Sequence, residues 1–375
     1  MIHANLLATL KSPLSHQSGE QHTWYENGNR SEKRVVRLHM RKHIHYPGEQ
    51  GTIQALVPMY QGNSWRGLLR YHLGLTILDQ LSDLGIPITK DLFSIFLSSG
   101  GMISAKGEQG NATKDLHTFY EQYPTYWLLG GTFRGKLNRG HSSIGDWIPV
   151  CQEGIANHTI PGELADRAIS ITGMPMSDTY RTPCTNLSMI TRRDPKLRQD
   201  LLKLLDEKEL AEMLDDYQKS KTARGKAKSP QVESESRNEQ PEAALEKSAA
   251  EQQIIQTETL IEGTPMFGQL SVNDGEGSRS KWDHLEKIGF GCLLIAMERF
   301  SRTPFIGGGY RQGFGRIDLS MDVALSPNTV IKKGVTLEHV NGFPLFTISP
   351  ELQPYRKAGD EALATVVARI KKESR

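Results

Sequence analysis

Apolar and polar residues alternate along Ile2 to Leu10, which predicts a strand with one buried face. A second alternating stretch, Lys33 to His45, predicts a strand of unusual composition. Val36, Leu38, Met40 and Ile44 share one side of it, and Arg37, His39, Arg41, His43 and His45 share the other. From Asn63 to Leu84 the period changes to that of a helix, with Trp65, Leu69 and Leu73 on the apolar face. Further strands are predicted near Gly135 to Val150 and, as a pair around Gly263, over Thr257 to Val272. Asn273 to Ser280 reads as a polar loop, about Trp282 to Phe300 as a helix, and Arg316 to Val323 as a final strand.

Asp194 can cap, and Pro195 can start, a further helix on which Leu197, Leu201, Leu204, Leu205 and Leu214 recur at helical spacing. It leads into Thr222 to Gln252, where large apolar residues are almost absent. Such a stretch cannot bury enough surface to offset the entropy of ordering and reads as a disordered insert. No period of 20 to 50 residues repeats along the chain, which argues against a solenoid. Mixed strands and helices favour an α+β fold with helices on one face of a sheet.

Length, at 375 residues, allows two or three domains or one core with large insertions. The 37% hydrophobic and 23% charged composition lies on the polar side of globular, as the insert requires. A formal net charge of +2 does not identify a nucleic-acid binder, so that reading rests on where the charges lie. Cys151, Cys184 and Cys292 are too few and too far apart for a disulfide framework or paired zinc ligands. The longest nearly apolar run, Gly289 to Met297, is far short of the ~20 residues of a membrane span. Met1 to Leu10 also lacks a signal-peptide pattern, so a soluble cytoplasmic protein without membrane contact is expected.

Five basic or imidazole groups without one acid on the face of Lys33 to His45 favour contact with a polyanion over an ordinary solvated face. His43 and His45 alone supply too few ligands for a metal. Asn63 or Ser64 is placed to cap the first helix, leaving first-turn amides for an anion, and Arg66 and Arg70 lie four residues apart on one helical face. Phe305 to Arg316 carries Gly307, Gly308, Gly309, Gly313 and Gly315, with Tyr310 and Arg311 at the tip. Glycines there let backbone amides approach a phosphate, and the exposed pair adds stacking and charge. Gln312 breaks a GxGxxG pattern, and Phe314 stands where a Walker loop needs lysine, so no nucleotide cofactor is expected. Ile144 likewise stands where a GxSxG elbow needs glycine, and no convincing active site is legible.

In chain order, VPMYQGNSWRGLLR (57–70), WLLGGTFRGKLNRG (127–140), GTPMFGQLSV (263–272) and FIGGGYRQGFGRIDL (305–319) resemble the RAMP superfamily of CRISPR effectors. The likeness is to its Cas-seven type backbone subunits and spans roughly Ile2 to Val323. It implies an RRM-like (ferredoxin-like) palm with large insertions, over 1–180 and 274–328. A thumb hairpin over 181–273 would carry the charged helix and the insert, and 329–375 would form an extension with a terminal helix. Size, long insert and the lack of aspartate between Met1 and Leu78 are most similar to the type IV version. That missing aspartate argues against target-RNA cleavage.

The resemblance implies a non-catalytic subunit, without cofactor or metal, that oligomerises along the guide RNA (crRNA). Its partners would be that crRNA, a target nucleic acid (DNA favoured) paired through the guide, other copies of itself, other Cas subunits and a helicase. The RNA-contacting set it implies is Ser15, His16, Arg37, His39, Arg41, His43, Gln61, Asn63, Ser64, Trp65, Arg66, Arg70, Arg181, Met189, Arg192, Gly308, Gly309, Tyr310, Arg311 and Gln312. The rival is a RAMP-type ribonuclease, either processing guides with a histidine such as His16 or His43 or cutting target RNA.

Overall fold

Strand β1 (Ile2–Leu10) buries Ile2, Ala4, Leu6, Ala8 and Leu10 and turns the intervening residues outward, as its alternation dictates. The computed structural model describes residues 1–25, 33–49, 51–87, 96–97, 118–120, 122–133, 136–168, 185–191, 254–273 and 279–373. The helix starting at Asp194 and the insert at 222–252 lie outside these residues. The chain divides into two units: Met1–Thr23, Val36–Ser188 and Thr257–Arg375 form one, and Trp24–Val35 with Met189–Gln256 the other.

In chain order the strands are β2 (Gln17–Tyr25), β3 (Lys33–His39), β4 (Arg41–Gly48), β5 (Gly51–Pro58), β6 (Gly131–Phe133), β7 (Lys136–Asn138), β8 (Ser142–Ile144), β9 (Ile148–Pro149), β10 (Thr185–Thr191), β11 (Ile254–Leu260), β12 (Pro265–Val272), β13 (Ile317–Ser326), β14 (Thr329–Val340) and β15 (Phe343–Ile348). The helices are α1 (Gly62–Asp83), α2 (Pro124–Leu129), α3 (Gln152–Ala156), α4 (Arg279–Phe300) and α5 (Gln353–Glu373).

A seven-stranded sheet in the order β15-β14-β13-β1-β12-β8, with β9 also on β12, holds the core of the first unit. Its registered pairs are antiparallel: Leu6 lies opposite Gly268 on β12 and Met321 on β13. The fold is therefore α+β. Pro265–Val272, which the resemblance assigns to the thumb, runs inside this sheet, because Met266, Leu270 and Val272 complete the apolar face begun by β1. Residues 329–348 continue the same sheet edge as β14 and β15 before α5. A four-stranded sheet, β10-β11-β3-β2, includes the strand ends that are the described residues of the second unit.

Two predicted strands are broken. Lys33 to His45 divides at Met40, whose N–H donates to the His16 carbonyl (2.6 Å) and whose carbonyl accepts from Met59 N–H (2.9 Å). Pairing thus passes from the β3 sheet to the β4–β5 hairpin, and both His39 and Arg41 turn into protein. Gly135 to Val150 yields three short strands, because Trp147 exchanges backbone hydrogen bonds with Tyr60 (2.8 and 2.9 Å) and leaves the strand line.

The Gly289 to Met297 run is almost wholly buried because α4 touches α1, α2, α5 and β12. Helices α4 and α5 approach at Gly291 and Gly359: a Cβ on Gly359 would lie 2.5 Å from the Gly291 carbonyl carbon. Arg356 of α5 then reaches Glu298 of α4 through Nε (3.0 Å) and a terminal nitrogen (2.7 Å). Among the described residues, no helix is long and apolar enough to cross a membrane.

Gly359→Val should lower the unfolding free energy by roughly 2–3 kcal/mol, the cost of overpacking a rigid contact. Gly67→Ala on exposed α1 surface, where a Cβ meets nothing within 4 Å, should raise it by up to about 1 kcal/mol. Urea denaturation of both variants checks the pair.

Candidate functional site

Beyond β1 the chain from Lys11 to His16 docks against a loop nearly three hundred residues away. Gly308 N–H donates to the Ser15 carbonyl (2.7 Å) and Gly315 N–H to the Pro13 carbonyl (2.8 Å). The loop closes on itself through Ile306 N–H to Gly315 O (2.8 Å) and a short 3-10 turn at Tyr310–Gln312. Gly307, Gly309, Gly313 and Gly315 have φ of 75°, 78°, 84° and 78°, in the left-handed region that favours glycine. The glycines thus serve the turn itself. At its tip Tyr310 is 56% exposed, and Arg311 lies over its ring at 5.8 Å and donates from Nε to its hydroxyl (3.2 Å).

His16 sits where this loop meets α1. Its Nε2 accepts from Gln61 N–H (3.3 Å), and its ring packs edge-on to Tyr60 with centroids 4.9 Å apart. Burial lowers its pKa, with the Asp146 carboxylate pulling the other way. Tyr60 is buried, which raises its hydroxyl pKa, and a backbone hydrogen bond from Gly307 ties it to the glycine loop. Ser15, His16, Gln61, Ser64 and Gly308 are thereby gathered in one place. A cavity of about 430 Å³ opens there, lined by His16, Tyr60, Ser64, Gly67, Leu68, Tyr71, Phe305 and Gly307.

The start of α1 is occupied from within. Gly62 N–H donates to Asp146 Oδ1 (3.0 Å), and Asp146 Oδ2 holds Lys42 at 2.9 Å. Burial raises the Asp146 pKa, but the Gly62 N–H and Lys42 outweigh it and hold the carboxylate below its ordinary value. Neither Asn63 nor Ser64 caps the helix: Gln61 is the N-cap, without a side-chain cap bond, and Asn63 is exposed. The anion that the helix N-terminus attracts is thus supplied by Asp146.

The face read as basic and free of acid receives an acid from far along the chain. Glu258 of β11, 1% exposed, pairs with Arg41, 8% exposed, and accepts from His39 N–H (2.9 Å). Burial raises the Glu258 pKa against the pull of Arg41 and of that N–H. His39 donates from Nδ1 to the Met40 carbonyl (2.9 Å), and burial lowers its pKa to about 3, so the ring is neutral. Arg37 bonds Gln17 (3.4 Å), and exposed His43 bonds Gln54 (2.6 Å).

Arg66 and Arg70 leave the cavity on the other side of α1. Arg70 donates to the carbonyls of Leu129 (2.7 Å) and Gly130 (3.2 Å), satisfying the end of α2, and Arg66 reaches Ser142 O at 3.4 Å. Burial lowers the pKa of both guanidiniums, and each feels another arginine nearby. Trp65 is fully buried and packs on Trp147 (5.2 Å) and Phe300 (5.0 Å). Arg181 and Arg192 lie outside the described residues, and Met189 is placed in β10 by its backbone.

Sequence reasoning passed over Gly67, Leu68 and Tyr71, although Ser64, Gly67, Leu68 and Tyr71 follow the i, i+3, i+4, i+7 rule of a helix face. Asp146 and Glu258 left no such signal, since each meets its partners only through tertiary folding.

No protein-family model matches the sequence, and no curated protein matches it. Among solved structures the chain is similar to one chain of a Type IV-B CRISPR complex, at 14% identity over 87% of this chain and 92% of that one, with a TM-score of 0.41.

Two measurements check the buried groups. Glu258→Ala leaves Arg41 buried without its partner and should cost about 3–5 kcal/mol of stability, part of it regained in the Arg41→Met/Glu258→Ala double variant, in which the His39 N–H still lacks its acceptor. His39 has a folded pKa below its unfolded value, so the unfolded chain takes up its proton first as pH falls below about 6.5. Stability should therefore decline from there down to about pH 3. His39→Asn, which keeps a donor at the Nδ1 position, should remove up to one proton from that slope when unfolding is followed at several pH values.

Proposed function

We propose that this chain is a non-catalytic, guide-RNA-binding backbone subunit of a CRISPR ribonucleoprotein complex, of the Cas-seven type found in type IV systems. The observation that carries the proposal is the docking of the glycine-rich loop on Ser15 and Tyr60. It presents Tyr310 and Arg311, both exposed, at the tip of the loop, a ring for a base and a guanidinium for a phosphate.

Topology supports the same reading. In chain order β1, α1, β8, β12, α4 and β13 run strand-helix-strand-strand-helix-strand, and in space the strands lie β13-β1-β12-β8. We read that order as the strand arrangement of an RRM-like, ferredoxin-like palm, which supports the proposal. The four family-like segments meet around it: Arg70 of the first bonds Leu129 of the second, the third is β12, and the fourth reaches Tyr60 of the first through Gly307.

In this proposal several copies coat the crRNA spacer head to tail and leave its bases to pair with a target, DNA by preference. Other Cas subunits and a helicase complete the assembly, the working compartment is the cytoplasm, and no cofactor takes part.

Light scattering with the absorbance ratio at 260 and 280 nm, before and after nuclease treatment, tests the proposal. Large assemblies that collapse when the RNA is digested are expected, with added guide RNA left intact. Arg311→Ala should reduce the salt dependence of binding by about one phosphate contact. A nuclease-insensitive monomer that ignores guide RNA would overturn the proposal, and shortened RNA would favour the ribonuclease reading through His16 or His43.

A further inference from the structure

We propose that the cavity between the glycine loop and α1 is a pocket for one unstacked nucleobase of the bound strand. The inference deepens the RNA-binding reading and rests on it.

At about 430 Å³ the cavity falls within the roughly 300–1,000 Å³ of sites that take small organic groups. Among the described residues its lining contains no formally charged side chain once His16 is neutral, so no side-chain cation there meets a phosphate. The cations beside it on the same helix, Arg66 and Arg70, reach the carbonyls of Ser142 and Leu129 instead. What the cavity offers is ring surface, from Tyr71 and Phe305, with Tyr71 47% exposed. A base presents a π-face whatever its identity, and stacking on such rings tolerates sequence.

His16 supplies the polar contact. Because its Nε2 accepts from Gln61 N–H, the neutral ring carries its proton on Nδ1. That leaves an Nδ1 donor, and Ser64 adds a hydroxyl that can donate or accept. Every base has an in-plane acceptor, so one donor beside a stacking face holds any of the four without reading which it is. A guide of arbitrary sequence requires that tolerance. Gly67, on the lining face of α1 between Ser64 and Tyr71, keeps the mouth open for want of a side chain.

Gly67→Leu isolates the pocket, since a Cβ there meets nothing within 4 Å and leucine suits a helix better than glycine. The probe is a series of uridine-rich single-stranded RNAs, each carrying 4-thiouridine at one position, bound to the full chain, irradiated and mapped by mass spectrometry. Crosslinks to Tyr71 or His16 are expected in the parent protein. They should fall at least ten-fold in Gly67→Leu, while the salt slope of binding stays unchanged. Tyr71→Ala should weaken binding by about five- to a hundred-and-fifty-fold, as loss of one stacked base implies. Bound RNA whose crosslinks map elsewhere, or are equally strong in Gly67→Leu, would overturn the pocket and leave the RNA-binding reading standing. A parent protein that binds none of these RNAs overturns both.

Discussion

Between Lys11 and His16 the backbone directs its polar groups to three separate segments. Lys11 and Pro13 meet Arg316 and Gly315, Leu14 exchanges hydrogen bonds with Leu260, Ser15 accepts from Gly308, and His16 accepts from Met40. The His16 ring then takes the N–H of Gln61. Buried peptide groups must find partners, and six residues that satisfy theirs on β11, β3–β4, α1 and the glycine loop fix all four in one arrangement. The cavity follows from that arrangement, because its walls are two of those segments, the α1 region and the glycine loop, with His16 between them. Neither α1 nor the loop would form it separately.

Burial decides what the charges do. Arg41 and Arg70 are cations whose side chains are already committed, one to Glu258 and one to the carbonyl end of α2. Taking either guanidinium out of water is costly without such partners, so their role is to hold segments together. Lys42 is likewise bound to Asp146, which itself caps α1. An arginine on a strand or helix face is thus a poor marker of phosphate contact until its partners are known.

This explains what was legible in the sequence. Local periodicity carried β1, α1 and α4, since the buried residues at Trp65, Leu69 and Leu73 recur at helical spacing and those of β1 at every second position. Glycine density marked the loop, and its left-handed φ values show why glycines are needed there. Period could not reveal the break at Met40, which is set by hydrogen bonds to His16 and Met59. Nor could it place Glu258 beside Arg41, 217 positions apart, or Asp146 at the start of a helix 84 residues before it. Cavity walls were half legible: the helix face was written in Ser64, Gly67, Leu68 and Tyr71, whereas the opposing loop became a wall only through Ser15.

The distribution of charge bears on how a chain with a formal net charge of +2 can hold a polyanion. Under the guide-coating proposal, Arg41, Lys42 and Arg70 are held inside the protein and not free to meet phosphates, so with a net charge near zero one copy alone should bind weakly and with a shallow salt dependence. Copies arranged along one strand change the arithmetic, because each added neighbour binds a ligand already held close at high effective concentration. A stacked base adds affinity that salt does not screen. Under the guide-coating proposal, weak single-copy electrostatics and a neutral base pocket therefore belong together: they let assembly depend on a continuous strand and not on its sequence.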